Sequence, residues 1–259
     1  YIHVPFCAAK CPYCNFYSVK AEESLMDAYT EQICRALAAS AERWQRRADT
    51  LYFGGGTPIL LGARRIERIV STARRHFGLQ NAEITLEANP ASTLEETLRD
   101  LFAAGVNRLS FGMQSADEEE LRILGRRHTA KEAALAVAHA QAAGFSNISL
   151  DLMLGIPQQT AQSVEKSIGF CAETGITHIS AYLLKIEEGT PFDRNGVAAR
   201  CPDPDEQAER YLQAGEALAR HGFCQYEISN FAKPGYACRH NLGYWRQTPY
   251  LGLGPAAAS

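Results

Sequence analysis

Short apolar runs alternate along the chain with longer stretches in which apolar residues recur every three or four positions. The runs "YIHVPF" (1–6), "TLYFGGG" (50–56), "EITLEANP" (83–90), "VNRLSFGMQ" (106–114), "NISLDLMLGIP" (147–157) and "THISAYLLKIE" (177–187) predict six strands. Between and after them, helical spacing predicts helices over about Ser24–Arg47, Ala63–Phe77, 92–105, 116–125, 129–144, Thr160–Thr174 and Asp205–His221. Ser92 with Glu95, or Thr93 with Glu96, has capping-box spacing, and Gly105 suits a helix C-cap.

This alternation implies an α/β fold with a parallel sheet. Six strand–helix units fall short of the eight of a closed barrel, so the preferred architecture is an open partial (β/α)6 barrel, with a doubly wound sheet as the alternative. Residues 1–222 read as this core. Residues 223–259 are less regular and read as the start of a C-terminal extension.

With 259 residues, 46% of them hydrophobic, the chain can bury one large core or two smaller ones. The net charge of −3 gives a nucleic-acid partner no bulk attraction. Arginine-rich patches such as "RWQRR" fall at helical spacing and read as solvated helix faces. No apolar run has the length of a membrane span and no signal peptide opens the chain, which reads as cytoplasmic with reduced thiols. It starts at Tyr1 and stops in a glycine–alanine stretch, as the core of a longer protein would.

Of eight cysteines, Cys34, Cys171, Cys201, Cys224 and Cys238 are scattered, whereas "FCAAKCPYC" places Cys7, Cys11 and Cys14 within eight positions. A disulfide would leave one thiol over. Structural zinc prefers two separated ligand pairs, and no second pair exists. His3 lies inside the first strand, where packing or hydrogen bonding is its ordinary role. Three thiolates suit three irons of a 4Fe–4S cluster whose fourth iron stays open.

The ends of the predicted strands offer further polar or backbone groups to one shared pocket: Gly54–Thr57, Glu87, Gln114 and Asp151. The GGGTP turn allows close backbone approach to a ligand. It is neither a phosphate loop nor a GxGxxG turn.

The spacing Cx3CxxC, with Tyr13 before the last cysteine, resembles the radical S-adenosylmethionine (SAM) signature. That resemblance implies that the open iron chelates SAM and that an electron from the cluster cleaves a carbon–sulfur bond. "YFGGGTP", "FGMQS", "LGRRHT", "DLMLGIPQQT" and "YEISNFAKPG" resemble the oxygen-independent coproporphyrinogen III dehydrogenase family and its relatives, the HemW-type heme chaperones. By motif position the resemblance implies a SAM pocket of Tyr1, Tyr13, Gly55, Gly56, Thr57, Glu87, Gln114, Arg126 and Asp151. There Glu87 and Asp151 could accept from ribose hydroxyls or an ammonium, and Arg126, or Arg127 beside it, could pair with a carboxylate.

Two features separate the relatives. The decarboxylating enzyme has a further cysteine where this chain has Phe16. "RHNLGYW" (239–245) resembles the HNxxYW motif of the heme chaperones, which implies His240 as a heme ligand; Tyr244 and Trp245 offer flat apolar surface, and Cys238, two residues before His240, could be a second contact, ranked below it. The resemblance therefore implies a heme-trafficking protein with a 4Fe–4S cluster, SAM and heme, an unidentified heme-acceptor protein, and membrane association only through a partner. The alternative is a coproporphyrinogen III dehydrogenase, so enzymatic turnover stays open. A radical SAM enzyme acting on RNA is disfavoured by the acidic charge, and one of heme breakdown by "HNLGYW".

Overall fold

The structure, a computed structural model, describes residues 1–92 and 94–259, Ser92 by its backbone alone. The capping pairs expected of Ser92 and Thr93 lie outside what is described. The strands are β1 (Ile2–Val4), β2 (Phe6–Cys7), β3 (Val19–Lys20), β4 (Thr50–Gly55), β5 (Glu83–Ala88), β6 (Arg108–Gln114), β7 (Asn147–Leu154), β8 (His178–Leu183), β9 (Cys224–Gln225) and β10 (Asn230–Ala232). The helices are α1 (Glu23–Trp44), α2 (Ala63–Phe77), α3 (Glu95–Ala103), α4 (Glu118–Ile123), α5 (Ala130–Ala142), α6 (Ala161–Glu173), α7 (Pro191–Arg194), α8 (Pro204–Arg220) and α9 (Arg239–Trp245).

The main sheet runs β1-β4-β5-β6-β7-β8-β10-β9, and β2 pairs with β3 as a separate ribbon. Its first six strands are parallel and stand in chain order. The order never reverses, so there is no switch point of the doubly wound kind, and the open six-unit arrangement expected from the alternation is the one that forms. The antiparallel strands β10 and β9 extend it past β8. On the other edge the chain's last residues return beside β1. Leu253 bridges Ile2 in parallel, and His3 N donates to Leu253 O at 2.8 Å.

Why this sheet curves around a usable interior is visible in its two-residue period. Leu51 and Phe53, Ile84 and Leu86, Leu109 and Phe111, Ile148, Leu150 and Leu152, and Ile179 belong to one continuous buried core. The helices cover that outer face, α2 through Ile66, Ile69, Val70, Ala73 and Phe77. The alternate positions carry Tyr52, Thr85, Glu87, Arg108, Ser110, Ser149, Asp151, His178 and Ser180. Several bond to one another across strands, as Ser110 Oγ does to Asp151 (3.0 Å) and Ser149 Oγ to His178 Nδ1 (2.7 Å). The interior is therefore a polar lumen, open where the strands end. Among the described residues no helix is long and apolar enough to cross a membrane.

Candidate functional site

At the C-terminal ends of the strands the chain folds the cysteine segment against the glycine turn. Gly56 N donates to Val4 O (2.8 Å) and Thr57 N to Phe6 O (2.7 Å), which carries the β1–β4 pairing on towards Cys7. The approach is so close that a Cβ on Gly56 would stand 2.6 Å from Phe6 O and 3.1 Å from Cys7 Sγ. Gly55 holds φ +110°, and a Cβ there would meet the His3 ring at 2.6 Å. These two positions need glycine for steric reasons alone. His3 itself is buried and fully engaged: Nδ1 bonds Tyr1 Oη and Nε2 bonds Tyr17 O, both at 3.1 Å. It is a hydrogen-bonding strand residue, as its place before Pro5 suggests.

All three thiols are free and half-buried. Thr57 Oγ1 points to Cys7 Sγ at 3.8 Å, and Cys14 N closes a tight turn onto Cys11 O at 3.1 Å. Burial pushes the Cys14 thiol up. Arg126 reaches over from beyond α4: Nη1 lies 3.4 Å from Cys11 Sγ and 3.4 Å from Tyr13 Oη, and Nη2 donates to Gly112 O. Arg127 is exposed, so the structure separates the two arginines. Among the described residues no three His, Cys, Asp or Glu side chains converge on one ion. A 4Fe–4S cluster asks for no such convergence, because each of its three cysteine thiolates would ligate a different iron.

Beside this segment stand the strand-end residues. Glu87 accepts from Tyr52 Oη (2.8 Å) and Gly55 N (3.2 Å). Burial, reinforced by the Asp151 charge, pushes its carboxyl up to about 7. Asp151 accepts from Ser110 and Ser180, and burial raises it too. Gln114 sits at φ 75° where the β6–β7 register shifts. Its Nε2 would lie 3.0 Å from a Cβ on Gly112, and Arg126 Nη2 3.2 Å. Gly112 thus makes room for both side chains. Tyr1 lies deeper, between Glu87 and the opposite end, with its ring 6.2 Å from that of Tyr52.

Several lumen residues lie mid-strand, away from the strand ends and motif positions where site residues are expected. Tyr52, Ser110 and Ser180 are the partners of Glu87 and Asp151. Arg108, 2% exposed, is a buried cation whose Nε has no hydrogen-bond partner. The signal was present as polar residues at every second position of the runs.

His240 lies elsewhere. Glu83, at the start of β5, accepts from Arg239 N and His240 N (both 3.1 Å) and from Cys238 Sγ (3.4 Å), so a buried carboxylate anchors α9 at the N-terminal ends of the strands. His240 stacks on Tyr52 with centroids 5.0 Å apart. Nδ1 bonds Thr50 Oγ1 (2.8 Å) and Nε2 bonds Tyr244 Oη (2.9 Å). Burial lowers its pKa to about 3, so the ring is neutral. β4 separates Thr50 from the glycine turn by five steps of about 3.3 Å, roughly 17 Å. The structure brings the cysteines, glycine turn, Arg126, Gln114, Glu87 and Asp151 together and sets His240 at the other end. Trp245 is 51% exposed and turned to solvent, and Cys238 points at Glu83.

Three outcomes follow from this geometry. The fold favours protonated Glu87, so its contribution is present below its ordinary pKa of 4.5 and lost as pH rises through about 7. Urea unfolding from pH 4.5 to 8 should show the parent chain losing up to about 3 kcal/mol relative to Glu87→Gln. Gly56→Ala should cost about 1–3 kcal/mol by overpacking and displace Cys7. Gly169→Ala, on α6 with open space around the new methyl, should be neutral or stabilising by up to about 1 kcal/mol in the same measurement.

Comparison with known proteins agrees with this architecture. The family model described as "Radical SAM superfamily" matches residues 1–171. The heme chaperone HemW of Mycobacterium tuberculosis (strain H37Rv) is 40% identical over 99% of this chain and 68% of its own length. That of Escherichia coli (strain K12) is 38% identical over 99% and 68%, and that of Synechocystis 37% over 100% and 65%. The chain thus spans about two thirds of the length of these relatives. The solved coproporphyrinogen III oxidase HemN of Escherichia coli, a radical SAM enzyme, superposes with a TM-score of 0.84 at 24% identity, covering 99% of this chain and 63% of the enzyme, which is a likeness of fold. On the family model and the whole-chain identity together, the chain belongs to the radical SAM superfamily and, within it, to the family of the HemW heme chaperones.

Proposed function

We propose that this chain is the core of a heme carrier that binds heme near His240 and hands it to an acceptor protein, while its opposite end holds a 4Fe–4S cluster and SAM. What supports the carrier reading above all is the 37–40% identity, over essentially the whole chain, to relatives named as heme chaperones. Cys7, Cys11 and Cys14 would ligate three irons, and the cluster with SAM would supply one-electron cleavage of a carbon–sulfur bond. Around it the protein's part is positioning. Arg126 offsets thiolate charge at Cys11 and presents a guanidinium to a carboxylate. Gly55, Gly56 and Thr57 keep the backbone close to the cluster ligands. Glu87 and Asp151, held by Tyr52, Ser110 and Ser180, present acceptors to hydroxyl or ammonium groups, with Gln114 and Tyr1 lining the same lumen.

Heme at His240 would lie about the height of a strand, roughly 17 Å, from the cysteines. Tyr52 would lie between the two ends, its ring stacked on His240 (centroids 5.0 Å apart) and its hydroxyl donating to Glu87 (2.8 Å). Residues 223–259, which carry α9, would form the heme-presenting part. For Nε2 to reach iron, the Tyr244 hydroxyl must leave it, and Thr50 on Nδ1 then orients the ring.

The test is an anaerobic titration of the cluster-reconstituted chain with ferric heme, read at the Soret band. About one heme per chain is expected, with His240→Ala weakening it about tenfold or more. Tyr244→Phe should tighten binding about two- to tenfold, because it releases a hydrogen bond that competes with iron. A chain that holds its cluster but binds no heme overturns the reading.

A further inference from the structure

Beside His240, at the N-terminal ends of the strands, lies a cavity of ≈ 330 Å³, within the range of roughly 300–1,000 Å³ that small-molecule clefts occupy. The last turns of α1 and α2, helix α9 and the returning tail enclose it. Its walls mix apolar and polar groups, with Trp44, Tyr244 and Tyr250 as the large flat ones. Tyr244 and Tyr250 stand edge to face, their centroids 4.8 Å apart.

Charge at this cavity is inverted relative to the whole chain. The net charge is −3, yet Arg46, Arg47, Arg239 and Arg246 line the cavity against the one carboxylate of Asp49. Two of the four guanidinium groups are already engaged. Arg239 donates to Asn81 O (2.8 Å) and lies 3.6 Å from Asp49, and Arg47 donates to Gln80 Oε1 (3.2 Å). Arg46 and Arg246 have neither a hydrogen bond nor an ion pair from their side chains among the described residues. They belong to separate elements, the loop after α1 and the C-cap of α9.

We propose that this cavity binds a planar tetrapyrrole bearing two carboxylates, its ring against Trp44, Tyr244 and Tyr250 and its carboxylates paired with Arg46 and Arg246. The site rests on the heme reading above and adds to it the groups that recognise the cargo. A guanidinium fork matches a carboxylate bidentately, and a flat apolar ring fills an aromatic cleft without leaving polar groups unbonded. Two free guanidinium groups on separate elements suit two carboxylates attached at separate points of one rigid ring. The same placement puts the iron beside His240 while the ring covers Tyr244, the residue whose hydroxyl now occupies Nε2.

The experiment compares ferric heme with its dimethyl ester, which keeps ring and iron but has no free carboxylate, on the cluster-reconstituted chain. The parent chain should bind heme about tenfold or more tighter than the ester. The double variant Arg46→Gln/Arg246→Gln should lose about tenfold for heme and nothing for the ester, and Arg46→Lys/Arg246→Lys should recover part of that loss. Arg200→Gln, exposed and outside the cavity, should leave both affinities unchanged, and thermal unfolding checks that each variant is folded. Equal heme affinity in the parent chain and the Gln double variant overturns the arginine site and leaves the heme reading standing. Absence of heme binding in every protein, the parent included, overturns both.

Discussion

A parallel sheet that turns polar side chains inward survives only if those groups find partners away from water, and this constraint organises the molecule. An unpaired buried polar group costs on the order of 1–3 kcal/mol, comparable to a sizeable fraction of a domain's net stability. Here the inward carboxylates are held by neighbours: Glu87 by Tyr52 and Asp151 by Ser110, each one strand away, and Glu83 by the amide groups that open α9. Ser149 and His178 satisfy each other, and His178 Nε2 continues to Tyr226 at 2.8 Å. Because the network is cross-strand, it also ties the curvature of the sheet to the chemistry of its interior.

That network divides the barrel into two ends with different character. Towards the strand C-termini the side chains become partly exposed, and thiols, glycine backbone, a guanidinium and two carboxylates of raised pKa surround one opening. Towards the strand N-termini the interior is closed by α9, whose amide groups rest on Glu83, and the cavity there is walled by aromatic rings. Arg108 lies between, fully buried, pulling Glu87 and Asp151 down towards ionisation and pulling His178 and His240 towards neutrality.

Much of this was legible in the order of residues. The six runs and their intervening helices lie within a few residues of where they were expected, α2 on the same bounds. The glycine turn, Glu87, Gln114 and Asp151 were found because function gathers where parallel strands end. Less legible were Ser110, Ser180 and Arg108, which sit mid-strand. Only the two-residue period, read as an inside and an outside, exposes them. The choice between Arg126 and Arg127 needed the path of the chain after α4, since neighbours in sequence point opposite ways.

By itself the sequence determined the elements, the direction of the sheet, the cysteine spacing and the family, because each depends on residues within a few positions of one another. Only the tertiary structure decided where α9 lies, that Leu253 returns to pair beside Ile2, and that His240 closes the end of the barrel opposite the cysteines. Those outcomes rest on contacts such as Glu83 with His240, 157 residues apart. No local periodicity encodes such a contact; it forms because a buried carboxylate and a buried helix start must each find a partner, and the folded barrel puts them side by side.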